Sequence, residues 1–253
     1  MTRILIVGNS HVAALRLGWE LLKGSCRQSI SVDFLAAPGR NFSKLQRGTD
    51  SRFGLLEPES VPSKTLEIMR RINRELVVDL ESYDDILLVG AYFQPNQALS
   101  LLDAKGDAVD TVLANSGRLA EPFLRNRIRR IVDSAPQPEF CLALRRARVT
   151  LLLKPRQTVQ AARNAGLSPA GLGAIYNLHA KLVAHRLSES GIAFLPQPIA
   201  SLDGSGLTLD HFSSGSKRLS GEAHPDEDGN HMNDDFGRLC IKEYLEQLPQ
   251  KAA

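Results

Sequence analysis

Short apolar runs of strand length alternate along this chain with segments whose apolar residues recur at helical spacing, and that alternation most limits what it can fold into. Ile4–Val7 ends at Gly8, Ser31–Ala37 stops at Pro38-Gly39, Asp85–Val89 closes at Gly90, Val149–Leu153 ends at Lys154-Pro155, and Ile192–Leu195 runs into Pro196. Continuous apolar runs of this length fit parallel strands buried on both faces. Between them, Val12–Leu22 places Ala14, Leu17 and Leu21 along one side, and Thr65–Leu80 carries Leu66, Met69, Ile72, Leu76 and Leu80 at spacings of three and four. Ala174–Leu187 aligns Ile175, Leu178, Leu182 and Leu187, and Asp234–Leu248 aligns Phe236, Cys240, Tyr244 and Leu248. All four segments predict amphipathic helices. The alternation predicts an α/β fold of three layers, a five-stranded parallel sheet with helices on both faces and right-handed crossovers. Chemistry in such folds gathers beyond the carboxyl ends of the strands, which directs attention to the turns at Gly8, Pro38, Gly90, Lys154 and Pro196.

A chain of 253 residues suits one domain with long insertions, expected at about 40–63 and 92–148. Arg40 to Ser63 is polar and reads as a loop or mobile flap, Tyr92 to Arg148 has room for about two extra helices, and Gln197 to Asn233 reads as mostly irregular. A net charge of +3 makes no demand for nucleic acid, and no stretch approaches the roughly 20 apolar residues of a membrane span. The apolar part of the N-terminus is shorter than a signal-peptide core of about 7–15 residues, so a cytoplasmic protein is expected. Cys26, Cys141 and Cys240 show neither disulfide nor metal-ligand spacing and read as buried small side chains. No cofactor and no metal is expected. From Phe123 to Arg148, seven arginines (125, 127, 129, 130, 145, 146 and 148) face only Asp133 and Glu139, a solvated helix face or a surface that meets an anionic substrate or partner.

Two short blocks carry candidate chemistry. The first strand runs into Gly8-Asn9-Ser10-His11, where a glycine permits a tight reversal and the amides of the following helix favour negative charge at the serine. A serine here also suits a helix N-cap. Immediately before the last helix stands His224-Pro225-Asp226-Glu227-Asp228-Gly229-Asn230-His231, in which Asp228 and His231 lie three apart. One helical turn brings such a pair to one side, and a carboxylate-oriented imidazole can take a proton from a hydroxyl. The block also reads as an acidic loop with a capping residue at 233–235. His224 offers a second imidazole near Asp226 or Asp228, but His231 alone completes Asp-x-x-His. His11 reads as a helix cap or a substrate contact, His179 and His185 as ordinary helix residues, and Trp19 as core.

The two blocks together, one after the first strand and one before the last helix, resemble those of the SGNH (GDSL-like) hydrolase superfamily. The resemblance implies a flavodoxin-like strand order, with Ser10 as nucleophile, His231 as general base and Asp228 as its orienting acid. It further implies an oxyanion amide from Gly39, which stands at the family's second-block glycine; Asn9, His11 and Tyr92 beside the nucleophile are read as further oxyanion or substrate contacts, with Gln94 or Asn96 as substitute donors if the loop folds back. Two residues depart from the family pattern: Asn9 stands where the family has Asp, and Gly90-Ala91-Tyr92 stands where it has Gly-x-Asn. The expected activity is cleavage of acyl esters of a small molecule or glycan. Acyl transfer to a glycan by the same triad, and a non-catalytic binding protein that kept the fold, are the alternatives.

Overall fold

The computed structural model describes residues 1–24, 30–99, 120–142, 144 and 146–249. Five parallel strands make the central sheet: β1 (Thr2–Gly8), β2 (Ile30–Ala36), β6 (Asp85–Val89), β7 (Arg148–Leu152) and β8 (Ala193–Leu195), in the order β2-β1-β6-β7-β8. Counting only these five, the order is 2-1-3-4-5, the flavodoxin-like arrangement, and the sequence runs fall on its strands to within two residues. The register puts Gly8 between Ala36 and Val89, so the first three strands finish level at one edge.

Apolar residues on both faces of each strand give the sheet two cores. Leu5, Val7, Ile86 and Leu88 face one side, where α4 (Ala120–Ser134) brings Ile128 and α7 (Pro169–Ser188) brings Ile175 and Val183. Ile4, Ile6 and Leu87 face the other, covered by Leu15 and Trp19 of α1 (Val12–Leu22) and by Phe236 and Ile241 of the C-terminal helix α8 (Asp234–Glu246). Cys141 and Cys240 are buried free thiols, whereas Cys26 and Arg145 lie outside the described residues. Among the described residues no helix is long and apolar enough to cross a membrane.

Two expectations are corrected. The helix expected over Thr65–Leu80 is α2 (Ser63–Ile72), because Asn73 leaves the helix with φ −100° and ψ 138°. Its side-chain amide closes on Ala36 at the end of β2, accepting from Ala36 N at 2.7 Å and donating to Ala36 O at 2.9 Å. Leu76 and Leu80 therefore lie beyond the helix, flanking β5 (Val77–Asp79). The expected loop of residues 40–63 is also structured: β3 (Gln46–Arg47) and β4 (Arg52–Gly54) join β5 in a small antiparallel sheet, after a 3₁₀ turn over Gly39–Lys44.

Candidate active site

The turn after β1 is shaped by contacts that only its own residues allow. A Cβ on Gly8 would fall 2.2 Å from the Val89 carbonyl, so glycine lets β1 and β6 finish side by side. Asn9 then braces the turn: its Oδ1 accepts from the His11 amide at 3.2 Å and its Nδ2 donates to the Gly90 carbonyl at 2.6 Å. The N-cap position of α1 is His11, with no side-chain capping bond. The N-cap reading of Ser10 is thus not what forms, and its hydroxyl lies 3.1 Å from Nε2 of His231.

The loop that delivers His231 is fastened at both ends. Gly229 presses against Thr158, where a Cβ would come within 2.4 Å of Oγ1, and its carbonyl accepts from the Thr158 amide at 3.0 Å. Asn233 caps α8 through Oδ1 to the Phe236 amide at 3.2 Å, while its Nδ2 donates to the carbonyls of His211 at 2.9 Å and Ser214 at 3.0 Å. Between these anchors His231 Nδ1 lies 2.8 Å from Asp228 Oδ2. The other carboxylate oxygen accepts from the amides of Asn230 at 2.9 Å and His231 at 3.2 Å. In the tautomer protonated at Nδ1, His231 donates to Asp228, and Nε2 accepts from the serine hydroxyl.

Two further imidazoles surround this chain of contacts. His224 Nδ1 lies 3.0 Å from the same Asp228 Oδ2, and its ring stacks on His231 with centroids 4.0 Å apart and planes at 11°. His11 stacks on His231 at 5.0 Å and 25°. Burial, then the neighbouring His231 and the Lys154 ammonium, push the His11 imidazole down to about 3, so it is neutral near pH 7. Burial, followed by the charge of His231, also lowers His224. Burial resists ionisation of Asp228, but the Asn230 amide and the imidazole of His231 outweigh it and hold the carboxyl below its usual range.

His224, Asp228 and His231 are also the group of described residues whose donor atoms, all within 4.8 Å of one another, suit a metal ion. The near-parallel stack works against that use. The in-plane lone pairs of two near-parallel rings do not converge on one point, as ligation of a single ion requires. The arrangement fits two imidazoles against one carboxylate better than it fits a chelate.

An open cavity of about 650 Å³ begins at Ser10 and His231. One helical face of α2 supplies Lys64, Glu67, Ile68 and Arg71 to its wall, and Leu219 lies on the wall supplied by residues 218–222. Pro38 is part of the wall, and Gly39 follows it with φ +53° and open space where a side chain would be. Asn9, His11 and Tyr92 do not line the cavity. The Tyr92 ring is taken up by Phe42, edge-on at 5.9 Å, and by Phe140 at 6.5 Å, and burial pushes its phenol up. The Gln94 side-chain amide donates to the Gly90 carbonyl, and Asn96 Oδ1 accepts from Lys154 Nζ at 2.9 Å, so neither is free to serve as a donor at Ser10 in this arrangement. None of the described arginines from 125 to 148 lines the cavity; α4 packs on α7 instead. The amide of Gly39, expected as an oxyanion donor, and that of Ser10, which was not, have no acceptor among the described residues.

No family model matches the chain, and no curated protein matches it. It is similar to the extracellular lipase of Streptomyces rimosus, with 15% identity and a TM-score of 0.48 over 98% of this chain and 100% of the lipase. It is also similar to phospholipase A1 of Streptomyces albidoflavus, with 13% identity and a TM-score of 0.48 over 98% and 99% of the two chains. A GDSL-like lipase of Bacteroides thetaiotaomicron shares 14% identity and a TM-score of 0.35 over 97% of this chain and 88% of its own.

Proposed function

We propose that this protein is an SGNH-type hydrolase that cleaves acyl esters through Ser10, His231 and Asp228. The observation that carries this reading is the contact chain from Ser10 Oγ to His231 Nε2 at 3.1 Å and from His231 Nδ1 to Asp228 at 2.8 Å, opening into a cavity. Nε2 takes the hydroxyl proton as Oγ bonds to the ester carbonyl carbon. Asp228 meanwhile stabilises the imidazolium through Nδ1–H. The carbonyl oxygen becomes an oxyanion, for which we assign the unengaged amides of Ser10 and Gly39 as donors. Collapse of the tetrahedral intermediate breaks the bond to the alcohol oxygen, which leaves with the proton from His231. Water, deprotonated by the same imidazole, then releases the acid and restores Ser10.

The cavity wall mixes the apolar Pro38, Ile68 and Leu219 with the charged Lys64, Glu67 and Arg71, which suits an ester whose alcohol or acyl group is polar. Because the arginine-rich helix is elsewhere, no observation favours a glycan acceptor over water. The reading is tested by hydrolysis of a short-chain activated ester such as 4-nitrophenyl acetate. Ser10→Ala is expected to lower kcat/KM by about 10³-fold or more, and equal turnover by wild type and Ser10→Ala defeats the assignment of the nucleophile.

A further inference from the structure

The contacts of His224 do more than fill space. The residue follows a small hairpin, with Lys217 bridged to Ala223, and its own amide donates to the Ser216 carbonyl at 2.9 Å. Leu219 and Ser220 in that hairpin line the cavity. The side chain of His224 is 8% exposed, and it touches both partners of the relay, Asp228 at 3.0 Å and the face of the His231 ring at 4.0 Å. It therefore connects the cavity wall to the carboxylate that orients the base. Without it, the face of His231 that His224 covers and the contact of Asp228 Oδ2 with Nδ1 of His224 would both be lost.

We propose that His224 is a positioning residue: it holds the Asp228 carboxylate and the His231 ring so that Nε2 stays aimed at Ser10. The inference rests on the hydrolase reading and adds a fourth side chain to the relay. His224 Nδ1 lies 3.0 Å from Oδ2, the oxygen that His231 also contacts, and the stacked rings resist tilting of His231 out of line. His224 touches no reacting atom. His224 also lines the cavity beside Ser10 and His231, so a fall in kcat marks the positioning role, whereas a lost wall contact alone would move KM.

The test compares three substitutions in the full chain. Asparagine retains an N–H donor where Nδ1 lies, phenylalanine retains the ring face without the donor, and alanine removes both. His224→Ala and His224→Phe are expected to lower kcat about 10- to 100-fold with KM changed little, and His224→Asn to recover most of the loss. The same order is expected in the rate at which a fluorophosphonate labels Ser10. Recovery by phenylalanine and not by asparagine reduces His224 to a packing residue and overturns the proposal, as do three variants indistinguishable from wild type. Thermal unfolding shows which variants fold; if alanine does not, the asparagine and phenylalanine chains decide. Failure of all three to fold makes the role structural and likewise overturns it. Wild type unlabelled at Ser10 defeats the hydrolase reading itself, whereas labelled wild type beside equally labelled variants defeats this inference alone.

Discussion

Tyr92 carries the only hydroxyl in Gly90-Ala91-Tyr92, the stretch where the SGNH resemblance expects an asparagine, yet its ring packs against Phe42 and Phe140 and does not line the cavity. Losing a true oxyanion donor typically costs 10²- to 10³-fold in rate, so Tyr92→Phe is expected to leave kcat/KM for an activated ester within about threefold of wild type. A loss of a hundredfold would return the oxyanion role to the hydroxyl. Contacts between near neighbours in the chain were the legible ones: Asp228 and His231 sit in one loop three positions apart and meet at 2.8 Å. Tyr92 was not legible, because its surroundings come from residues 42 and 140, far away in the chain. His224 falls between. Its spacing of four from Asp228 was visible, but the stack on His231 needed the fold of the loop.

Two helices begin beside the proposed catalytic side chains, α1 just after Ser10 and α8 just after His231, and their separation is set by facing glycines. A Cβ on Gly237 would lie 1.8 Å from the Ala14 carbonyl, and one on Gly18 would lie 2.2 Å from the Arg238 amide nitrogen. Side chains there would force the helices apart at the point that fixes the distance from Ser10 to His231. Gly237→Ala is therefore expected to destabilise the fold by roughly 1–3 kcal/mol, the usual penalty for overpacking, and to lower kcat as well. Gly204→Ala, at a position with nothing within 4 Å, is the control and should change neither. Thermal unfolding and ester hydrolysis measured on both variants check this; a stable, fully active Gly237→Ala chain removes helix spacing from the account. At this scale the long periodic elements could be read from the chain. The small antiparallel sheet could not, since β3, β4 and β5 span only two or three residues each. Nor could the end of α2, which is fixed by the bonds from Asn73 to Ala36, a residue 37 positions away.

Across the whole molecule, the first strand lies inside the sheet and the last helix packs on the first, which is how residues 221 positions apart come to share a hydrogen bond. The layers followed from the alternation of apolar runs, because strands buried on both faces have little choice but to be covered twice. Strand order was legible only through the resemblance, since apolar periodicity does not encode which strand neighbours which. We propose that Ser10 is a nucleophile activated by His231 and Asp228. The most direct measurement is mass spectrometry of peptides from the protein after treatment with a fluorophosphonate, for wild type, Ser10→Ala and His231→Ala. The adduct is predicted on the peptide containing Ser10 in wild type, absent in Ser10→Ala and strongly reduced in His231→Ala. A wild-type chain that stays unmodified while control serine hydrolases react, or an adduct that persists in Ser10→Ala, would contradict it.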